Sequence, residues 1–423
     1  MIFLWTDILF WGLAIFSLVW YLRARKNPYW REIFLEVRSS RMAMMSFILI
    51  CFYIFIALID SIHFRNSSGS VSSLLDVFLA PLVQGSEKSY SAPLALKSFF
   101  KSPLPPEQGG GFSTLPLQYA GKSAWVSNHT LDIFLRVIVS LFVAILAVLA
   151  FRYFKRPQRS YLIFTFCFVF SLSLFFFLSL NYHVFGTDKT GTDVLYTSLK
   201  SIRTGLIIGT LTTIIIAPFA LLLGIAAGYF GGIVDDIIQY LYTTLSSIPS
   251  ILLIAAVMLI VQSKLSAEES VITADRRLFY LCVIMGITSW TSLARLIRGE
   301  TLKLREMEFI AAAKVMGISS WKITIKHLAP NVLHLMLISI ILQFSSLVLA
   351  EAVLAYVGIG VDPSMQSWGN MINSARLELA RDPAVWWNLA AAFFFMLGLV
   401  LPANLFADVV RDALDPKLRG QQK

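Results

Sequence analysis

The run Tyr161–Leu180 has no charged residue, and Ile133–Phe151 carries only Arg136. A helix of about 20 apolar residues crosses the hydrocarbon core of a bilayer, where water cannot bond its backbone. Runs of this kind dictate a membrane-spanning helical protein, and the chain holds nine of them: Ile2–Leu22, Met42–Ile59, Ile133–Phe151, Tyr161–Leu180, Gly205–Tyr229, Ile237–Val261, Leu278–Ile297, Val332–Ala350 and Trp387–Phe406. Pro249 interrupts the sixth, which is the weakest, although a membrane helix tolerates proline where neighbours bond the freed backbone. The expected fold class is an all-α polytopic membrane protein of about nine transmembrane helices. Charged residues make up 14% of the chain, against about 25% in soluble domains.

The net charge of +10 sits in short loops beside the apolar runs, so it reports orientation and not a nucleic-acid partner. The first run has no basic segment in front of it and no small-residue cleavage site behind it. It therefore reads as an uncleaved anchor with its N-terminus outside. The basic groups Arg23–Arg31, Arg152–Arg159, Arg298–Lys326 and Lys417–Lys423 then all fall inside, and the C-terminus is cytosolic. Asp235 and Asp236 go against this trend.

Residues Asp60–Thr130 break the apolar pattern with Pro103–Pro106 and Gly109–Gly111, which predicts an outside loop with little regular structure. Gly121-Lys122-Ser123 lacks the earlier glycine of a phosphate-binding loop, since Pro116 stands there. Asn66-Ser67-Ser68 and Asn128-His129-Thr130 match glycosylation sequons that have no meaning in a bacterial setting. Cys51, Cys167 and Cys282 suit neither a disulfide framework nor a zinc site. His63, His129, His183, His327 and His334 show no ligand spacing, and no Ser/His/Asp set can be assembled. Neither a catalytic residue nor a metal site is expected.

The segment Arg298–Asn331 joins two runs and is unlike an ordinary loop. Glu306–Met316 predicts a short helix, with Met307, Ile310, Ala311 and Lys314 on one face and Phe309, Ala312, Ala313 and Met316 on another. Its small alanines would let a rigid partner come close. Gly317 stands where a helix end favours positive φ. A second helix, Ser319–Leu328, is expected to begin with serine caps, and Pro330 to open the next span.

This segment resembles the cytoplasmic coupling motif of binding-protein-dependent ABC importer permeases. The family pattern is Glu-Ala-Ala, three residues, Gly, then about nine residues leading to a hydrophobic-X-Pro ending. Here it reads Ala311-Ala312-Ala313, Lys314-Val315-Met316, Gly317 and Leu328-Ala329-Pro330, with Ala311 in place of the motif's glutamate. Within the peptide and nickel branch Glu308–Gly317 and Lys326–Asn331 agree more closely. Phe185–Val194, Ala226–Gly232, Ala294–Gly299, Ser367–Met371 and Asp408–Pro416 match further stretches of that branch in order, with Thr192 replacing the usual arginine. The resemblance covers Tyr182–Lys417 and extends to Arg41–Asp60 as the first core span.

The resemblance implies a six-helix type I permease core, of the branch's second permease subunit. To this the chain adds an N-terminal helix over residues 1–41, an extracytoplasmic loop at 61–132 and an inserted hairpin at 133–180 that is expected to be a peripheral, lipid-facing addition. It implies a coupling role for Glu308, Ala311, Ala312, Ala313, Gly317 and Pro330. Delivery of substrate from outside would involve Gly186, Thr187, Asp188, Asp193, Trp368 and Gly369, and Glu351 is a candidate pathway residue. The expected partners are a second permease, two cytosolic ATPases that hold the ATP and magnesium, an extracytoplasmic solute-binding protein, and lipid. This chain would hydrolyse nothing itself. Di- and oligopeptides are the first choice of substrate, nickel or another small solute the alternative. The rivals are an exporter or channel, which would lack the alanine-glycine segment, and a membrane enzyme with its site in the 60–130 loop.

Overall fold

A computed structural model describes residues 4–65, 71–103, 111–155, 158–264 and 271–414. Arg156, the sequon at Asn66, the Asp415-Pro416 ending and the basic tail of Lys417, Arg419 and Lys423 lie outside those residues. Among the described residues eight helices are long and apolar enough to cross a membrane, and a bent pair makes up to nine. The pair is α9 (Gly232–Ser247) and α10 (Ser250–Lys264), which meet at 86° across Ile248-Pro249. Proline removes a backbone donor and disfavours helix in the residue before it, so the sixth run is a broken span and not a straight one.

The chain folds into two compact units. The first comprises Phe47–Arg203 with Gln366–Leu399. It contains most of α3 (Arg41–Asp60), the helical hairpin α6 (His129–Lys155) and α7 (Arg159–Ser179), the first turns of α8 (Val194–Phe230), α16 (Trp368–Glu378) and the first half of α17 (Trp387–Leu414).

The 61–128 stretch is more ordered than its composition implies. Strands β1 (His63–Arg65) and β2 (Val71–Ser73) pair antiparallel, as do the two-residue strands β3 (Ser102–Pro103) and β4 (Phe112–Ser113). Ser73 and Asp76 form a reciprocal capping box that opens α4 (Leu74–Phe78), with α5 (Ala80–Gln84) following. The Asp76 carboxylate also accepts from the Lys200 ammonium at 2.6 and 2.8 Å and from the Tyr196 hydroxyl at 2.8 Å. Buried Glu87 accepts the backbone N–H groups of Gln118 and Tyr119, both at 2.7 Å. The expectation of a loop with little structure is thus corrected: half-buried Asp76 and buried Glu87 each act as a node that several segments of chain must satisfy.

The hairpin is bonded into this stretch as well as being apolar outside. Arg136, 1% exposed, donates to Asp132 at 2.7 Å, to the Phe177 carbonyl at 2.6 Å and to the Ser123 carbonyl at 3.1 Å. Asp132 in turn accepts from the Trp125 N–H and the Tyr182 hydroxyl. The network ties the hairpin to Ser123, Trp125 and Tyr182, while its spans stay largely unburied within the chain.

The second unit comprises Phe3–Ser46, Thr204–Met365 and Val400–Lys423. It holds α1 (Trp5–Ala24), α2 (Pro28–Ser39), the rest of α8, the bent pair, and α11 (Val271–Ser289) continuing into α12 (Thr291–Arg305). It also holds α13 (Glu308–Val315), α14 (Ser320–Ile323), a π-helical turn (Thr324–Leu328), α15 (Ala329–Tyr356) and the end of α17. The Thr6 N–H and hydroxyl both donate to the buried Asp275 carboxylate, pinning α1 to α11. Ile33 of α2 packs on Ala413 and Leu414. Small residues set the closest approaches: a Cβ at Gly228 would lie 2.6 Å from the Thr301 side chain and 2.9 Å from the Arg298 carbonyl oxygen. Such contacts let α8 and α12 approach closely, as small residues do between membrane helices.

Burial alone would raise the Asp76 carboxyl, but the Lys200 ammonium, the Ser73 N–H and the Tyr196 hydroxyl outweigh it and hold its pKa below the ordinary carboxylate value. A carboxylate whose pKa is lowered on folding stabilises the fold at neutral pH. That contribution fades as pH falls from about 4 through the lowered folded value. Asp76→Asn is expected to lower the thermal midpoint of the purified chain at pH 7 and to flatten its decline below about pH 4. Equal acid slopes for the two proteins would show that Asp76 is not the titrating group.

Candidate functional site

Helix α13 has no side-chain cap at Met307, but Glu308 in its first turn and Lys314 in its last suit the helix dipole. Its C-terminal end is a complete Schellman motif: the Ile318 N–H reaches the Ala313 carbonyl at 3.1 Å, and the Gly317 N–H reaches that of Lys314 at 3.0 Å. Gly317 has φ +73°, and nothing lies within 4 Å of where its Cβ would be. The position therefore needs glycine's backbone freedom and not its small size.

The two faces read from the sequence divide differently in space. Ile310 and Ala313, three residues apart, form the buried stripe, while Ala311 and Ala312 are exposed. Around those alanines the outward surface is strongly apolar, with Val315 89%, Met316 71% and Trp321 65% exposed, and Met307, Phe309 and Ile325 also open. Ser319 stands at the N-cap of α14, but its hydroxyl makes no capping bond. The π-helical turn that follows brings Ile323 and Leu328, five residues apart, both to the inside. Its wider turn is what makes that spacing compatible with one buried face. Pro330 sits in the first turn of α15, where the missing N–H does no harm.

This lever has two braces. The Lys314 ammonium lies 5.5 Å from the centre of the Tyr229 ring at the end of α8. About two turns before the end of α12, Arg298 grips Asp235 of α9 with two bonds of 2.6 Å. The fork geometry suits arginine and fixes direction as well as distance. Asp235, which ran against the charge trend along the sequence, thus has a positional reason to be acidic.

The residues assigned to delivery sit in the first unit and are mostly inside it. Thr187 and Asp193 are fully buried, Trp368 is 1% exposed, and Gly186 and Gly369 are buried. The Thr187 hydroxyl and amide knit the segment to Ser89 and Ser91, while its carbonyl accepts from the Trp387 indole at 3.0 Å. Asp193 bonds His183 Nδ1 at 2.6 Å and caps the start of α8 through the Leu195 and Tyr196 N–H groups. A Cβ on Gly191, at φ +76°, would fall 1.8 Å from the Glu87 carbonyl oxygen. The Trp368 indole donates to the Ser198 carbonyl at 3.1 Å. These buried groups hold the segment in place and leave Lys189 and Thr190 as its exposed tip, with half-buried Asp188 organising it through bonds to Thr190 and Thr192. Glu351 is 3% exposed within α15.

Sequence reasoning missed Glu87, His183 and the Ser73–Asp76 box. Only the last had a local signal, the Ser-Leu-Leu-Asp spacing.

The family described as binding-protein-dependent transport system inner membrane component matches residues 220–420. The chain is 32% identical over 239 residues to the oligopeptide transport system permease protein OppC of Haemophilus influenzae, covering 56% of this chain and 72% of that one. It is 29% identical over 237 residues to the dipeptide transport system permease protein DppC of Bacillus subtilis (56% and 69%), and 32% identical over 238 to the glutathione transport system permease protein GsiD of Pectobacterium atrosepticum (56% and 74%). The matched range takes in the braced lever, the bent pair and the spans around them, and this chain belongs to the family of binding-protein-dependent transport system inner membrane components, as a multi-pass permease subunit and not an enzyme.

Proposed function

We propose that this permease subunit takes up short peptides with energy from two cytosolic ATPases that dock on the α13 lever. The observation that carries this is the exposed apolar surface of Val315, Met316 and Trp321 around small, open alanines, held rigid by the Schellman turn at Gly317. Soluble surfaces rarely leave such side chains uncovered without a partner. Replacement of the motif glutamate by Ala311 keeps the surface small at the point of closest approach. Glu308, Ala312, Ala313 and Pro330 serve the same lever: Glu308 and Pro330 set its ends, Ala312 its open face and Ala313 its seat.

In this reading ATP and magnesium belong to the ATPases. Closure of those subunits pushes α13, and the motion enters α12 directly and α9 through the Arg298–Asp235 fork. Because α9 and α10 already meet at 86°, a push there re-aims a helix instead of stretching one. Rocking of rigid spans about a central path is the alternating-access logic of transporters. A second permease completes the path, with Glu351 as a candidate lining group. A solute-binding protein docks on the opposite side, at the tip formed by Asp188, Lys189 and Thr190. The N-terminus lies outside and the C-terminus in the cytosol.

The relatives named above carry oligopeptides, dipeptides and glutathione, which share a short amide-linked backbone. That common chemistry favours peptides over nickel.

Deleting the gene should abolish uptake of labelled di- to pentapeptides and leave nickel-63 uptake unchanged. The reverse pattern would replace the substrate. Gly317→Val should sharply reduce ATPase recovered with the permease, because a β-branched residue held at positive φ costs roughly 1–2 kcal/mol. Gly317→Asn should retain most of it, since asparagine tolerates that conformation. Normal recovery by the valine variant would remove the lever from the mechanism. In a cysteine-free background, Ser319→Cys should react with a membrane-impermeant maleimide only after cells are opened. Labelling of intact spheroplasts would invert the topology and end the coupling reading.

A further inference from the structure

The first unit contains a cavity of about 750 Å³ between α3, α4, α5 and α7, with Leu195, Leu199 and Phe395 completing its wall. Its walls join added and core parts of the chain: α4, α5 and α7 lie outside the stretch that resembles the family, while α3, Leu195, Leu199 and Phe395 belong to the core spans. Phe52 of α3 and Phe168 of α7 meet edge to face at 5.4 Å, which places two membrane-spanning helices in contact along it. Phe55, Phe78 and Phe176 line it yet remain 60%, 67% and 59% exposed, so it opens to the surroundings of the spans.

Its polar groups ask for nothing. The Tyr53 hydroxyl donates to the Phe395 carbonyl at 2.9 Å, that of Ser171 to the Cys167 carbonyl at 2.8 Å and that of Ser179 to the Phe176 carbonyl at 2.9 Å. Water gains no partners in such a space, and a polar or charged ligand would find none. A packed helix is a rigid rod about 10 Å across with its side chains. A single flexible hydrocarbon chain is thinner, needs no hydrogen bond and is the material that surrounds these spans.

We propose that this cavity is a binding site for one acyl chain of a membrane phospholipid, held between the inserted hairpin and the first core span. The hydrocarbon fills a gap that the hairpin and α3 cannot close with their own side chains. The lipid thus acts as a wedge that fixes the hairpin's position.

The test uses the full-length chain in nanodiscs of phosphatidylethanolamine and phosphatidylglycerol, doped with a phosphatidylcholine carrying a diazirine at the end of one acyl chain. Cross-links mapped by peptide mass spectrometry should concentrate several-fold on Phe52, Phe168 and Leu172 over the exposed Phe142 and Leu149 of α6. They should also saturate as the doped lipid is titrated. Ser171→Phe, which fills the cavity at the cost of one intrahelical hydroxyl bond, should remove the cavity cross-links and leave those on α6. If that variant misfolds, saturation in the unmodified chain still decides. Even, non-saturating labelling along α6 and α7 would mean annular lipid only and would overturn the proposal. So would cavity labelling unchanged in a folded Ser171→Phe.

Discussion

Inside a bilayer no water is available to bond a peptide group, so each N–H and C=O in the spans must find its partner along the same helix. Long helices are the outcome, and they leave little irregular backbone with which to do anything else. The helices stop or bend at a few places: the corner at Ile248-Pro249, the Schellman turn after α13 and the π-helical turn before Pro330. Each is a local departure from α-helix with its own chemical cause: a proline, a glycine and an apolar spacing of five.

Lipid tails are as apolar as leucine, so helix association relies on close contact and on a few polar anchors. In the second unit the contacts come from glycines such as Gly224 and Gly228, set against the backbone and side chains of α12. The anchors are Thr6 on Asp275 and Arg298 on Asp235. The anchors fix register and the glycines fix distance. Helix α13 hangs from a frame defined in both senses.

The first unit solves a different problem. Outside the spans the chain returns to water, and its order there depends on buried polar groups. Glu87, His183, Asp193 and Thr187 tie chain segments together over separations of 10 residues for His183 and Asp193, 31 for Glu87 and Gln118, and 96 for Ser91 and Thr187. The glycine-threonine-aspartate stretch has its character because of these long-range bonds.

The sequence alone determined the spans, the short lever and its glycine turn, because those depend on neighbours within one helix turn or on the length of an apolar run. Gly317 announced its conformation through its own covalent structure, while Pro249 marked the sixth span as interrupted and the structure added its 86° bend. Only the tertiary structure decided which alanines of α13 face outward, why Asp235 is acidic, that the 61–128 stretch is ordered and that the hairpin is bonded into it. Those facts depend on partners such as Arg298, Gln118 and Phe177, which distant parts of the chain bring into place, and no local pattern of residue types encodes which distant group will arrive.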